Sequence, residues 1–224
     1  MNFNFLAGTA LFQGVSPSDL KSMLHCLEAE EKFYEKGSTI LHAGNPVSFL
    51  GLVLSGRISV ENDDPWGNKS ILDSVGPGFV FAETYACIPG EPLMVNVVAS
   101  EASAVLFLKA GRIFTTCPLA CPHHHLLIRN LLAISAQKNL NLSRRIFHTS
   151  SKSIRGRLLS YLSFQASRNQ SRDFTIPFNR QQLADYLSVD RSALSAELSK
   201  MQKEGLLTAA KNHFVLHGAD MGEA

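Results

Sequence analysis

The chain has 224 residues, of which 45% are hydrophobic and 18% charged, so it can bury a core as one large domain or two modest ones. Its opening residues lack the basic stretch of a secretory signal, and no run approaches the roughly 20 apolar residues that span a bilayer. Its four cysteines are too few and too unevenly spaced for a secreted disulfide framework. These features argue against secretion and a membrane partner, and they favour a soluble cytoplasmic protein.

Charge is divided unevenly along the chain. Residues 1–122 carry 7 Lys and Arg against 12 Asp and Glu, whereas residues 123–224 carry 14 against 7. A basic half can attract DNA by releasing condensed counterions, and an acidic half is repelled by it. Globular domains that bind no nucleic acid can show the same asymmetry, so a DNA partner needs a motif as well.

Short apolar runs separated by glycines fill residues 31–114. The strand candidates are Leu50–Val60, Val95–Val98 and Ala104–Leu108. These runs are rich in large or β-branched residues, which is typical of strands packed face to face in a sandwich or jelly roll. A hairpin tip is predicted at Pro65, Gly67 and Asn68.

After Pro122 the sequence predicts a long amphipathic helix, because Leu127, Leu131 and Ile134 fall at positions i, i+4 and i+7. This apolar stripe either packs on its own β-domain or pairs in parallel with a second copy, since DNA-binding proteins are often two-fold symmetric. The helix pattern ends near Thr149. Ser150 and Ser151 follow, and these hydroxyls, with that of Thr149, predict the cap of a new helix and a domain junction.

Residues 178–205 carry the outline of a helix-turn-helix. One face of the first helix carries Leu183, Ala184 and Leu187, and Ser188 with Val189 forms a short break. Asp190 is placed to cap a second helix, whose inward face carries Leu194, Leu198 and Met201. Small Ala184 suits the closest approach of two crossing helices.

This outline predicts which residues contact DNA. Arg191, Ser192 and Ser195 lie outward on the first turns of the second helix, where such motifs meet base edges. Arg191 can donate two parallel hydrogen bonds to guanine O6 and N7; the alternative is a solvated arginine paired with Asp190 or Asp185.

Two further groups are predicted to contact the DNA backbone. The preceding helix begins at Asn179, Arg180 and Gln181, whose amides and side chains can point at a phosphate. Beyond Gly205, residues 206–216 alternate apolar and polar about a turn at Lys211, which predicts a β-wing with Lys211 and His213 near the backbone.

The sequence resembles the cyclic-AMP receptor and fumarate-nitrate regulator (CRP/FNR) family. The segments that carry the resemblance are Arg157-Leu-Leu-Ser-Tyr-Leu, Phe174-Thr-Ile-Pro-Phe-Asn-Arg-Gln-Gln-Leu-Ala-Asp-Tyr-Leu, Val189-Asp-Arg-Ser-Ala-Leu-Ser, Pro77-Gly-Phe-Val-Phe-Ala-Glu and Gly90-Glu-Pro. The resemblance implies an α+β fold: a double-stranded β-helix (jelly roll) effector domain at 1–122, a dimerisation helix at 123–148 and a winged helix-turn-helix at 149–224.

The resemblance also implies a function. It is that of a non-enzymatic, sequence-specific transcription regulator, a homodimer on palindromic double-stranded DNA with RNA polymerase as a candidate partner. By position, Arg191, Ser192 and Ser195 match base-contacting residues, and Arg180 and Gln181 match backbone-contacting ones. The sequence departs from many relatives at Ala196, where they have arginine, and at Ser188, where they often have glycine.

The likeness to nucleotide-binding relatives breaks down where the phosphate would bind. Those relatives hold the ribose with a glutamate, here Glu83, and the cyclic phosphate with an arginine followed by serine, here Leu93 and Met94. A phosphate buried against Leu and Met would lose its hydration without a charge partner, at a cost of several kcal/mol. Cyclic AMP is therefore not expected.

The remaining effector hypothesis is a pocket between the β-domain and the long helix. Its predicted walls are Phe81, Leu93, Met94 and Val95, with Glu83 as a polar anchor, and this lining suits a small apolar or aromatic molecule. The alternative is that these side chains fill the core and no effector exists.

Neither a cofactor nor a metal is predicted. The Cys117, Cys121 and His123–His125 cluster has ligands that suit zinc, iron or haem, yet three consecutive helical histidines point roughly 100° apart and cannot face one ion. Redox control through Cys87, Cys117 or Cys121 is the alternative. A cupin-like enzyme is disfavoured, because its metal set needs several strand histidines and the strand region offers His42 alone.

Overall fold

The structure is a computed structural model that describes residues 1–63, 69–114 and 123–217. The chain divides into two compact units, Met1–Gln137 and Lys138–Ala224. The predicted hairpin tip at Pro65, Gly67 and Asn68 lies outside the described residues, as do Cys117 and Cys121.

The first unit is a jelly roll of eight described strands with short helices. Its helices are α1 (Phe3–Ala7), α2 (Pro17–Cys26), α3 (Glu83–Ala86) and α4 (Ala110–Phe114). Its strands are β1 (Glu30–Tyr34), β2 (Thr39–Leu41), β3 (Phe49–Ser55), β4 (Ile58–Asp63), β5 (Lys69–Val75), β6 (Val80–Phe81), β7 (Asn96–Ala99) and β8 (Ser103–Lys109). They form two antiparallel sheets of order β1-β8-β3-β6 and β2-β7-β4-β5, which confirms the predicted fold class.

Strand β8 is buried on both of its faces. Side chains alternate between the faces of a strand, so Leu106 and Leu108 pack against the helical layer while Val105 and Phe107 point between the sheets. This is why β8 is almost continuously apolar. Between the sheets the ring of Phe81 lies over Gly51, where an added Cβ would come within 2.2 Å of ring atom Cζ, so Gly51 makes this close approach available.

A long helix, α5 (His124–Thr149), crosses the division between the units. The remaining elements of the second unit are α6 (Ile154–Asn169), β9 (Asp173–Thr175), α7 (Arg180–Leu187), α8 (Arg191–Lys203), β10 (Leu207–Ala210) and β11 (His213–Leu216). The strands form a sheet of order β10-β11-β9 beside α7 and α8, which gives the predicted winged helix-turn-helix. The inward residues predicted for α7 and α8 are buried: Leu183, Ala184, Leu187, Leu194, Leu198 and Met201.

The junction between α5 and α6 differs from the expectation. The hydroxyls of Thr149 and Ser150 donate to the carbonyl oxygens of Arg145 and Phe147, both at 2.8 Å, so they close α5. The N-cap of α6 is Ser153, whose Oγ accepts from the N–H of Gly156 at 3.0 Å. The predicted cap at Thr149, Ser150 and Ser151 is therefore wrong, because the first two hydroxyls are used by the preceding helix.

No helix within residues 1–63, 69–114 and 123–217 has both the length and the apolar character that a bilayer crossing requires.

Candidate nucleic-acid interface

The recognition helix α8 begins with a well-formed cap at Asp190. Its Oδ1 accepts hydrogen bonds from the N–H groups of Ser192 at 2.7 Å and Ala193 at 3.0 Å, as predicted for an N-cap residue. The Ser192 hydroxyl, followed by these two N–H groups, lowers the pKa of the Asp190 carboxyl. The carboxylate is thereby kept charged at the positive end of the helix dipole.

Arg191 is exposed on the first turn of α8. Both carboxylates that could have neutralised it are engaged elsewhere: Asp190 caps the helix, and Asp185 accepts from Gln181 Nε2 at 2.8 Å. Within the described part of the chain, Arg191 takes part in none of the ion pairs. Its guanidinium is therefore available to a ligand outside the chain.

Three other predicted DNA contacts already use polar groups inside the motif. The Ser192 hydroxyl donates to Asp190. Asn179 Oδ1 accepts from the N–H of Gln182 at 2.9 Å in a reciprocal capping box, and the Gln181 amide donates to Asp185. These side chains stabilise the helix starts.

Arg180 does not extend into solvent. Its guanidinium lies over the Phe214 ring, with Cζ 5.2 Å from the ring centroid, and Nη1 is buried without a hydrogen-bond partner among the described residues. Burial lowers the pKa of Arg180. The Arg180 side chain thus packs on the Phe214 ring of β11, a contact that sequence spacing could not show, and its contact with a DNA phosphate stays a prediction.

The β-wing forms as predicted. Strands β10 and β11 pair from Leu207 opposite Leu216 to Ala210 opposite His213, and the turn holds Lys211 exposed with a φ of 55°. His213 Nε2 contacts Asp173 Oδ1 at 2.6 Å, so His213 is tied to β9 and is not free at the tip. Lys211 is the predicted wing contact that remains exposed, and Ser195 on α8 is half-buried.

The residues predicted to bind an effector differ in their exposure. Phe81 and Leu93 are buried in the apolar cluster between the sheets, and Glu83 is buried at the first residue of α3. Met94 is 76% exposed and Val95 is half-buried. Met94 therefore does not form the predicted pocket wall in the single chain.

Two family models match this chain: "Cyclic nucleotide-binding domain" over residues 31–117 and "Crp-like helix-turn-helix domain" over residues 156–220. Together they cover the β-roll and the winged helix-turn-helix. The chain belongs to the CRP/FNR family of DNA-binding transcription regulators. The longer curated matches of this CRP/FNR protein are to transcription regulators.

Curated relatives agree with this family. The CRP-like cAMP-activated global transcriptional regulator of Mycobacterium tuberculosis is 28% identical over 100 residues, a match that spans 45% of this chain and 44% of that protein. The chain thus covers less than half the length of that relative. The cyclic AMP receptor protein of Thermus thermophilus is 26% identical over 85% of this chain and 79% of that protein.

Solved structures share the fold. CprK in complex with OCPA has a TM-score of 0.63 at 14% identity, covering 88% of this chain and 91% of that one. The c-di-GMP responsive global regulator CLP of Xanthomonas campestris has a TM-score of 0.57 at 17% identity, covering 91% of this chain and all of that one. At these identities the likeness establishes the fold alone.

The surroundings of Leu93 do not suit the phosphate of a cyclic nucleotide. Leu93 is 4% exposed and belongs to a cluster of apolar side chains that includes Phe81 and Val97. A phosphate placed there would lose its hydration without meeting a cation from that cluster.

A cavity of about 280 Å³ opens at another part of the β-roll. Its lining residues are Glu28, Glu30, Lys32, Ser48, Phe49, Phe107 and Lys109. The two lysines are already paired, Lys32 with Glu30 at 3.0 Å and Lys109 with Glu28 at 2.8 Å. None of the predicted effector residues lines this cavity.

The described residues that were candidates for redox control or metal binding are Cys87 and the histidines at the start of α5. Cys87 is exposed, but partial burial, followed by the charge of Glu83, raises the pKa of its thiol, which reduces the reactive thiolate. His123 Nε2 lies 3.1 Å from Asp19 Oδ2. Among the described residues, no three His, Cys, Asp or Glu side chains are grouped to hold a metal ion, and Cys117 and Cys121 lie outside that part of the chain.

The sequence analysis did not identify Arg155 of α6, which binds two glutamates of α8 and its C-terminal end. Its Nε donates to Glu197 at 2.6 Å, and Nη1 and Nη2 donate to Glu204 at 2.8 and 3.0 Å. These hydrogen bonds, those to Glu204 first, raise the pKa of Arg155, and they lower that of Glu204. The partners lie more than forty residues from Arg155, so no local pattern could have paired them.

Proposed function

We propose that this regulator binds a palindromic operator as a homodimer and contacts bases in each half-site through the first turns of α8. The observation that carries the proposal is Arg191, exposed and outside any described ion pair at the start of a helix whose opposite face is buried. The start of such a helix enters the major groove, and an arginine there can donate to guanine O6 and N7.

The geometry narrows the proposed contact set. Arg191 and Ser195 supply the base contacts, and Lys211 on the wing adds backbone attraction without sequence information. Ser192 donates its proton to Asp190, so it can offer its oxygen to DNA as an acceptor. Asn179 and Gln181 contribute by fixing the start of α7, whose N–H groups support phosphate binding.

The dimer is supported by a second apolar stripe on α5. The sequence-predicted stripe, Leu127 and Leu131 with Ile134, packs on its own β-roll. A different set lies at the four- and three-residue spacing of a coiled coil, exposed except for the half-buried Ser135, and we call it the seam: Ile128, Leu132, Ser135, Asn139, Leu142 and Ile146.

Burial of the seam requires a partner. Three of its four apolar members, Leu132, Leu142 and Ile146, are each more than 60% exposed. A second copy pairing in parallel would bury these side chains against their own equivalents, and it would satisfy the symmetry of a palindrome. The first stripe packs on the β-roll of its own chain, and pairing with a second copy is proposed for the seam.

The proposed effector is a small apolar or aromatic molecule bound at the β-roll near Phe81, Leu93 and Glu83, and not a cyclic nucleotide. The apolar burial of Leu93 and the buried carboxyl of Glu83 support this class of ligand. A ligand that binds the folded state raises the melting temperature, so a panel of aromatic compounds and cyclic AMP can be compared by thermal shift. Micromolar cyclic-AMP binding by calorimetry would contradict the proposal, and no shift with any compound would favour effector-independent control.

The operator proposal is tested by sequencing DNA fragments selected by the purified full-length protein from a random pool. The expected result is an inverted repeat with half-site centres about one helical turn, roughly 34 Å, apart, bound by a dimer in sedimentation. Recovery of fragments without an inverted repeat, or binding by a monomer, would overturn it.

A further inference from the structure

Two arginines bind the end of α7 at the turn of the helix-turn-helix. Arg145 donates from Nη2 to the carbonyl oxygen of Asp185 at 3.0 Å and from Nε to that of Tyr186 at 3.1 Å. Arg157 donates from Nη1 to the carbonyl oxygens of Leu187 at 3.0 Å and Ser188 at 2.9 Å. Four successive carbonyl oxygens are thus bound by two guanidinium groups.

The chemistry of a helix end explains why these contacts are favourable. The last four carbonyls of a helix lack intrahelical partners and form the negative end of its dipole. A guanidinium supplies several N–H donors in a fixed planar fork, so one side chain can satisfy two neighbouring carbonyls. A lysine ammonium carries the same charge without that fork.

The two arginines come from different elements. Arg157 lies on α6, where its Nε also donates to the carbonyl oxygen of Ser151 at 2.8 Å, so it anchors the turn within the winged helix-turn-helix. Arg145 lies on α5, directly beside seam residue Ile146. Arg145 therefore joins the helix that carries the seam to the turn that leads into α8.

We propose that Arg145 is a positioning residue that fixes the recognition helix relative to the dimer seam. The inference rests on the proposed dimer on a palindrome. With the end of α7 held against α5, each α8 is presented at a set distance from its copy, and the protein distinguishes operators by half-site spacing. Arg145 acts through the turn, because its donors already bind carbonyls and its Cζ lies 6.0 Å from the Tyr186 ring centroid.

The neighbouring Arg144 offers a matched control. It has the same charge on the same helix, but its Cζ lies over the Phe164 ring at 5.5 Å and its Nη1 reaches Asn141 Oδ1 at 3.5 Å, away from the turn. Loss of either arginine removes one positive charge. The electrostatic attraction to DNA should therefore change equally in the two variants, and a difference between them reports the turn contacts.

The experiment compares full-length wild type, Arg145→Ala, Arg145→Lys and Arg144→Ala. Binding is measured to the selected operator, to operators whose spacer is one base pair longer or shorter, and to unrelated DNA over a range of salt. Dimerisation and melting temperature are measured in parallel. Arg145→Lys keeps the charge and much of the side-chain stem, so it remains informative if the alanine variant folds poorly.

We expect Arg145→Ala and Arg145→Lys to stay dimeric. Arg145→Ala should bind unrelated DNA as Arg144→Ala does, and Arg145→Lys, which keeps the charge, should bind it as wild type does. Both should lose operator affinity about tenfold and prefer the correct spacer less strongly, since two charge-assisted hydrogen bonds are lost. Arg144→Ala should keep the spacer preference of wild type.

Retention of spacer preference in Arg145→Ala, or its restoration by lysine, would overturn the inference and leave the dimeric operator complex intact. An equal loss on operator and unrelated DNA, with a reduced salt slope, would also overturn it, because Arg145 would then be a phosphate contact. A wild-type protein that is monomeric or indifferent to inverted repeats would overturn both the inference and the proposed function.

Discussion

Ser188 ends α7 with a φ of 53°, and its carbonyl oxygen accepts a hydrogen bond from Arg157 Nη1 at 2.9 Å. The turn of the DNA-binding motif therefore combines a left-handed residue with support from a neighbouring helix. A residue with a Cβ is disfavoured in this conformation by roughly 1–2 kcal/mol, and glycine is not. Serine, with its short polar side chain, is tolerated here while the contacts around the turn hold it.

Replacing Ser188 by glycine should stabilise the protein. Relief of the left-handed backbone outweighs the extra chain entropy of glycine in the unfolded state, for a net gain of about 0.5 kcal/mol. Denaturant unfolding of the second-unit transition measures the change. Ser199→Gly, in the interior of α8, is the matched control and should lose stability, because glycine weakens a regular helix. A loss of stability in Ser188→Gly would contradict the account of the turn.

The pH dependence of stability should report His148, which is buried at the end of α5. Its Nδ1 lies 3.1 Å from Ser160 Oγ, and the rings of Tyr161 and Tyr186 pack against it. Burial, followed by the charge of Arg144, lowers the pKa of His148. Burial raises the pKa of Tyr161 to about 12 and also raises that of Tyr186, so neither phenol offers a negative charge to an imidazolium.

The lowered pKa of His148 sets the direction in which the unfolding free energy changes with pH. The unfolded chain takes up a proton at the ordinary histidine value, near 6.5, and the folded chain takes it up only at lower pH. The contribution of His148 to the unfolding free energy is complete above that value and falls as the pH drops below it. Between pH 7.5 and 5.5 wild type should lose more stability than His148→Phe, whereas His125→Ala, at an exposed position, should behave as wild type. Equal pH dependence in wild type and His148→Phe would refute the assignment.

Asn139 should determine how two copies of α5 pair. It lies in the middle of the seam, next to Ser135, where a buried asparagine restricts a coiled coil to one register and two strands at a cost in stability. Asn139→Leu should associate more tightly and form additional oligomers in sedimentation equilibrium. Asn141→Leu changes the same residue type outside the seam and should leave association unchanged. Unaltered association of Asn139→Leu would count against the seam.

The DNA-binding motif could be predicted in detail because its signals are local. Helical spacing identified Leu194, Leu198 and Met201 as buried, and a capping residue placed the start of α8 at Asp190. Apolar runs also located β7 and β8, and they located β3 and β4 as one segment, Leu50–Val60, which the structure divides into two strands. The pairing of the strands could not be predicted, because β1 pairs with β8 across most of the first unit, as in Glu30 opposite Phe107.

The chemistry of individual side chains was harder to predict, since it depends on tertiary partners. Arg180 looked like a phosphate contact until Phe214 was seen beneath its guanidinium. Met94 looked like a pocket wall and is exposed. The contacts of Arg145 and Arg157 could not be predicted, because a backbone carbonyl thirty or forty residues away leaves no mark in the sequence.

The central claim, that α8 contacts bases through Arg191, is tested most directly by the operator preference of Arg191→Ala. The account predicts a loss of about 1 to 3 kcal/mol of specific binding and a relaxed preference at one base pair in each half-site. Lys203→Ala, at the exposed far end of the same helix, should keep the full preference. An unchanged affinity and unchanged base preference in Arg191→Ala would contradict the claim.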